Sequence, residues 1–164
     1  MQNAALENLL TRRAVRSYKT DPVPDDVLNR VMEAGLYAPS GMGRESPVIL
    51  AVTNKEVRDE LSRLNAAVMH LEGDPFYGAP VVLVVLSSPE LSGTYLEDGA
   101  LVHGQSLKCR ACRRTRELLD PSGPSRSLKR LRAKPFSQKA GVPAGYVGIG
   151  NCILGYAAEP ETRG

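Results

Sequence analysis

No stretch of about 18 consecutive apolar residues occurs in the 164-residue sequence, so hydropathy gives no membrane-spanning helix. The opening Met1–Glu7 carries no basic region ahead of an apolar one, and no secretory signal is expected. Cysteine is scarce. Cys109, Cys112 and Cys152 are an odd set, too small for a disulfide scaffold, which fits a reducing cytoplasmic setting. No Ser/His/Asp set, carboxylate pair or metal-ligand spacing stands out, so acid–base hydrolysis and metal catalysis find no support. The sequence also lacks an internal repeat.

Three near-motifs fall short for physical reasons. Cys109-Arg110-Ala111-Cys112 has C-x-x-C spacing, but no strand precedes it as a thioredoxin-like pair requires. A zinc site would need two more ligands, and Cys152, His70 and His103 stand at no recognisable spacing. His70 falls in a loop before Glu72-Gly73-Asp74-Pro75, and Gly148-x-Gly150 lacks the third glycine and the helix of a dinucleotide fingerprint.

The length suits one domain spanning residues 1–164, large enough for a sizeable core. Net charge is only +3, yet the sum hides a split. From His103 to Lys139 there are eleven Lys and Arg against two acids, Glu117 and Asp120, a formal +9; the remainder carries −6. Lys108 to Lys139 could therefore bind nucleic acid through phosphates, in a salt-sensitive, sequence-independent way. Phe136 is the sole aromatic there, so base stacking is poorly supported.

Elsewhere the pattern alternates helix and strand. Leu6, Leu9 and Leu10 mark a first helix. Asp25 is placed to cap a second, with Val27, Leu28, Val31, Met32, Gly35 and Leu36 at helical spacing, ending before Pro39. Val48–Val52 reads as a buried strand, and Asn54 starts a charged helix carrying Val57, Leu61 and Leu64. Val81–Leu86 is apolar on both faces and so central. Tyr95–Leu101 opens another helix, the grammar changes after Val102, and order returns at Gly141, with a glycine-containing strand near 146–156. This order predicts helices packed over a sheet.

Two clusters carry chemistry. Arg12-Arg13-Ala14-Val15-Arg16-Ser17-Tyr18 concentrates three arginines at a helix exit, before the turn Asp21-Pro22-Val23-Pro24. Guanidinium forks suit phosphate bidentately, although a solvated basic turn is the simpler reading of the cluster alone. Ala38-Pro39-Ser40-Gly41-Met42-Gly43 follows the second helix. Together with Gly78-Ala79-Pro80, Leu96-Glu97-Asp98-Gly99-Ala100 and Gly145–Gly150, these segments resemble the nitroreductase family of flavin enzymes. The resemblance covers roughly residues 5–101 and 141–158.

The resemblance implies an α+β sandwich, with a central mixed sheet flanked by helices, and a homodimer holding FMN at the subunit interface. It maps the flavin phosphate and ribityl contacts onto Arg12, Arg13, Ala14 and Arg16, and a flavin approach from the other subunit onto Pro39, Ser40 and Gly41. The implied reaction moves hydride from NAD(P)H through FMN to a nitroaromatic, quinone or similar acceptor. No catalytic acid–base residue is required, because the cofactor carries the chemistry.

The chain departs from the family in three places. Gly43, Arg44 and Glu45 stand where Asn and Gln are common. Residues 103–140 replace a long apolar helix with arginines, whose burial would cost several kcal/mol for each unpaired charge. Because the pattern resumes in register at Gly141, compensating frameshifts are one account of that segment, which is expected to be the least regular part. The family's basic C-terminal tail has little counterpart in Glu161-Thr162-Arg163-Gly164. A catalytically impaired flavoprotein remnant is thus an alternative to an active enzyme.

Overall fold

The apolar run after Pro80 becomes β2 (Val81–Ser87), and every residue of it is buried. A strand with no polar face must be paired along both edges and covered on both faces. The computed structural model, which describes residues 3–12, 14–108, 116–118, 142 and 144–158, meets both demands. β2 lies between β1 (Val48–Val52) and β4 (Val147–Leu154), and β3 (Arg116–Leu118) completes a sheet in the order β1-β2-β4-β3. The described pairings are antiparallel throughout, where the resemblance implied a mixed sheet. Val85 pairs with Gly150 but Leu86 pairs with Gly148, which makes Ile149 the extra residue of a β-bulge.

Helices cover both faces of this sheet. α2 (Asp25–Leu36) and α4 (Tyr95–Lys108) bring Leu28, Val31 and Leu107 against Val81, Leu83, Cys152 and Leu154. α3 (Lys55–Met69) brings Leu61 to the opposite face, where Phe76 joins Val82, Val84, Leu86 and Ile153. The period-2 pleat sorts odd and even residues of β2 into these two cores. The result is the expected α+β sandwich.

Local signals explain most element ends. Asn54 Oδ1 accepts from the Val57 N–H at 3.0 Å and starts α3, as expected. Asp25 does not cap α2. Pro24 holds the N-cap position in extended conformation, and Asp25 and Asp26 lie in the first turn, where their charge favours the helix dipole. β1 proves to be an edge strand, with only Val52 fully buried, because an apolar run cannot by itself tell an edge from a centre.

α4 runs six residues past the expected change at Val102. Val102, His103, Ser106 and Leu107 are buried at helical spacing, so the helix face continues through His103–Lys108 and these residues leave the basic segment. Residues 109–115 and 119–141, which hold Cys109, Cys112 and most of the basic run, lie outside the described residues. α2 and α4 cross closely at Gly35, where a Cβ would stand 2.2 Å from Ser106 Oγ and 3.0 Å from Ile49 Cδ1.

α1 (Ala4–Thr11) behaves differently. Asn3 Oδ1 caps it by accepting from Ala5 and Leu6 N–H, and the Asn8 side-chain amide donates to the Lys108 carbonyl. Yet α1 buries no residue, and Leu6, Leu9 and Leu10 stay 51–67 % exposed.

Candidate functional site

The arginine segment leaves α1 at Arg12, whose backbone is extended (φ −58°, ψ 134°) while its N–H still donates to the Asn8 carbonyl. Two side chains anchor the backbone beyond it: Val15 and Tyr18 are buried in the core on the α3 side of the sheet. Tyr18 also forms an antiparallel bridge with Ala157, with Lys19 N–H donating to Tyr156 O at 2.7 Å and Ala158 N–H to Ser17 O at 3.0 Å. Arg12, Ala14 and Arg16 therefore stand exposed on a backbone held at both ends. Arg13 lies outside the described residues.

The second segment begins where α2 stops. Tyr37 N–H donates to Glu33 O, Ala38 N–H to Gly35 O, and Pro39 carries the chain away. Ser40 Oγ accepts from the Glu45 N–H at 3.1 Å, closing a turn over Gly41–Gly43. Inside it Met42 (φ 52°), Gly43 (φ 64°) and Glu45 (φ 47°) are left-handed, a conformation that costs the non-glycine residues about 1 kcal/mol or more each. Met42 is 87 % exposed. Past the turn, the buried Ser46 and Ser87 hydroxyls meet at 2.8 Å and fasten the segment to the end of β2.

The near end is fastened by a residue outside both sequence clusters. The Gly41 N–H donates to Asp98 Oδ1 at 2.8 Å. Ser92 Oγ donates to Asp98 Oδ2 at 2.7 Å, and Thr94 Oγ1 to Oδ1 at 3.1 Å. Asp98 is 2 % exposed and lies in the first turn of α4, near the positive end of that helix. Burial pushes its carboxyl up, but the Gly41 N–H and the Ser92 and Thr94 hydroxyls outweigh this and hold it below its ordinary value of 3.8. Gly41 is also steric: a Cβ there would lie 2.1 Å from Thr94 Oγ1. The Gly41 N–H is thus committed to Asp98.

The structure accordingly places Arg12, Ala14 and Arg16 on one pinned segment, and Pro39, Ser40 and Gly41 on another. Sequence reasoning missed Asp98, Ser92 and Thr94 as the support of the second. A Thr just before an apolar helix with Glu97 and Asp98 in its first turn is a helix-start signal, but nothing local ties it to Gly41, 57 residues away. Among the described residues no group of three or more His, Cys, Asp or Glu could hold a metal ion.

Comparison with known proteins decides the lineage. Residues 9–104 match the profile of the Nitroreductase family. The chain belongs to that family. A Thermus thermophilus protein named NADH dehydrogenase is 33 % identical over 89 residues, 54 % of this chain and 41 % of its own length. A Bacillus subtilis FMN reductase [NAD(P)H] is 29 % identical over 97 residues, 58 % of this chain and 36 % of its own. The matched part of the chain therefore spans less than half the length of either relative. In three dimensions, the nitroreductase with bound FMN from Bacteroides fragilis superposes with a TM-score of 0.81 at 27 % identity, covering 99 % of this chain and 93 % of that one. The nitroreductase fold thus extends over the four described strands, while the family profile stops at 104, within α4.

Proposed function

We propose that this nitroreductase-family chain is an FMN-dependent oxidoreductase. The observation that carries the reading is the exposure of Arg12 and Arg16 on a backbone pinned by Val15, Tyr18 and the Tyr18–Ala157 bridge. A backbone already ordered need not be ordered again when the guanidinium groups meet a phosphate dianion, and both their charge and their donor geometry suit the FMN phosphate. Bound FMN would supply the redox chemistry, accepting hydride from NAD(P)H and passing it to a nitroaromatic, quinone or similar acceptor.

The chain's own residues do the holding. Arg12, Arg13 and Arg16 would hold the phosphate, Ala14 would lie along the ribityl chain, and Pro39, Ser40 and Gly41 would approach the flavin from the other subunit. Ser40 Oγ already accepts from the Glu45 N–H, so its own proton is available to a ligand acceptor. The homodimer this requires is supported by α1, whose exposed Leu6, Leu9 and Leu10 form an apolar face that a second copy would cover. Exposed Leu36, Tyr37 and Met42 extend the apolar surface around the second segment. Residues 1–164 are taken as one domain, and the small, odd set of three cysteines suits a cytoplasmic setting.

The test is an absorption spectrum of the purified protein, followed by NAD(P)H oxidation with a nitroaromatic or quinone. A yellow protein that consumes NAD(P)H supports the reading. A colourless chain that cannot be reconstituted with FMN overturns it.

A further inference from the structure

We propose, on the reading that Pro39–Gly41 meets the flavin, that Asp98 is a positioning residue whose carboxylate sets the shape of the flavin-facing segment 39–45 through the Gly41 N–H.

Three independent observations support this role. First, the segment is strained. Met42 and Glu45 are both left-handed, and such conformations persist only where the surroundings over-determine them. Second, the turn closes on itself through Ser40 Oγ and the Glu45 N–H, and among the described residues two side-chain contacts tie it to the rest of the fold: the Ser46–Ser87 hydroxyl pair at the far end and Asp98 at the near end. Third, Asp98 is itself fixed before it meets Gly41. Ser92 and Thr94 donate to its oxygens, while Thr94 O accepts from the Asp98 N–H at 2.9 Å, so the carboxylate is oriented by the start of α4. A carboxylate that served only the helix start would have no need of Gly41. Here one oxygen joins two elements 57 residues apart, and the missing Cβ of Gly41 lets the two backbones close.

The chemistry of the acceptor explains the residue type. All three partners donate, and an ionised carboxylate accepts from all of them with charge-assisted strength. Asparagine in its place keeps one oxygen for Gly41 but must turn an NH2 group toward two hydroxyls. Alanine leaves the Gly41 N–H unpaired in a part-buried position and frees the strained turn to relax.

Arg44 lies exposed within the segment and provides a flavin-free readout, because trypsin cleaves after arginine only where the backbone can leave its fold. The experiment measures the rate of cleavage after Arg44 in the flavin-free full chain, and then FMN affinity and the visible circular dichroism of bound flavin. Asp98→Ala is expected to speed that cleavage at least tenfold, weaken FMN binding at least tenfold and change the dichroism of the flavin still bound. Asp98→Asn is expected to fall between Asp98→Ala and the parent on all three. Gly41→Ala, which presses on Thr94 while leaving Asp98 in place, is expected to reproduce the Asp98→Ala pattern, and it carries the test if Asp98→Ala does not fold. Cleavage at the parent rate, or faster cleavage with FMN affinity and dichroism unchanged, overturns the positioning role alone. A parent chain that takes up no FMN overturns the proposed function and this role with it, whatever trypsin shows.

Discussion

Arg58 and Asp74 meet at 2.5 Å, and each is held by a second set of bonds. Asp74 also accepts from the Ser62 hydroxyl at 2.6 Å and from the Phe76 and Gly78 N–H groups. Arg58 is 8 % exposed, donates through Nε to Ala79 O at 2.9 Å, and lies 5.5 Å over the Phe76 ring. One ion pair thus folds the turn 74–79 that feeds β2.

Removing either partner of that pair should destabilise the fold. Asp74→Ala leaves the buried guanidinium with only the half-exposed Asp59, 3.1 Å from its Nη1, a loss of about 2–3 kcal/mol, less than for a fully buried pair because Asp59 remains and Asp74 is partly open to water. At this chain length that corresponds to a fall of about 5–10 °C in Tm. Calorimetry checks it, and a change below about 1 °C would mean that the pair contributes nothing.

Of the carboxyls held below their ordinary values, the two that lie at least partly buried should carry most of the response to acid. Asp74 and Asp98 both sit below the ordinary 3.8 in the folded state: burial raises each, and their hydrogen-bond donors outweigh it. A depressed folded value contributes stability that is fully present above the unfolded value and lost as pH falls through the folded one. Tm should therefore hold steady down to about pH 4 and fall below it, and Asp98→Asn should flatten part of that fall. A parent and an Asp98→Asn chain with parallel Tm profiles between about pH 2 and 5 would refute the assignment.

Arg12→Ala should weaken FMN binding roughly tenfold to a hundredfold, since a hydrogen bond to a charged group is worth about 1.5–3 kcal/mol. Arg12→Lys should recover only part, because a point charge cannot reproduce the fork. Arg113→Ala and Arg130→Ala, in the segment where the family resemblance lapses, should leave affinity nearly unchanged. Fluorescence titration separates the cases, and equal losses at the three alanine substitutions would reduce the effect to general electrostatics.

Gly35→Ala should overpack the α2–α4 crossing and cost about 1–3 kcal/mol. Adding Ser106→Ala removes the atom 2.2 Å from the new methyl but leaves Ile49 Cδ1 at 3.0 Å, so the double variant should regain stability only in part. A double-mutant cycle by urea unfolding measures the coupling.

Leu9→Arg should alter assembly without altering the protomer. α1 buries nothing within the chain, so substitution there should leave secondary structure intact while shifting sedimentation toward the monomer. A dimer of unchanged strength would exclude α1 from the interface.

Much of this architecture is legible in the residues. β2 can be read because six consecutive residues, Val81–Leu86, offer water nothing, and α3 because Asn54 supplies a cap in front of a periodic helix. The antiparallel sheet and the edge position of β1 cannot, because pairing partners are set by tertiary contacts that Val48–Val52 does not encode locally. The end of α4 is hidden because polar His103 and Ser106 share its buried face with Val102 and Leu107, so the spacing does not read as apolar. At the candidate site, the arginines and the Pro-Ser segment announce themselves by composition, whereas Asp98 matters through a partner far along the chain. The expectation that 103–140 is irregular concerns mainly residues outside those described; sequencing the coding DNA for a single unbroken frame tests the frameshift account.

The Tyr18–Ala157 bridge also dictates an order of assembly. It joins the first turn after α1 to the strand exit beyond β4, almost the whole chain apart. Closing so large a loop costs more chain entropy than the nearer β1–β2 pairing. On a ribosome the arginine segment emerges before β4, and the bridge cannot fix it until β4 and Ala157 have followed. The arginine segment is thus made well before the residue that fixes it, so a phosphate site built on that segment would belong to a chain extended past Ala157 and not to a shorter nascent one.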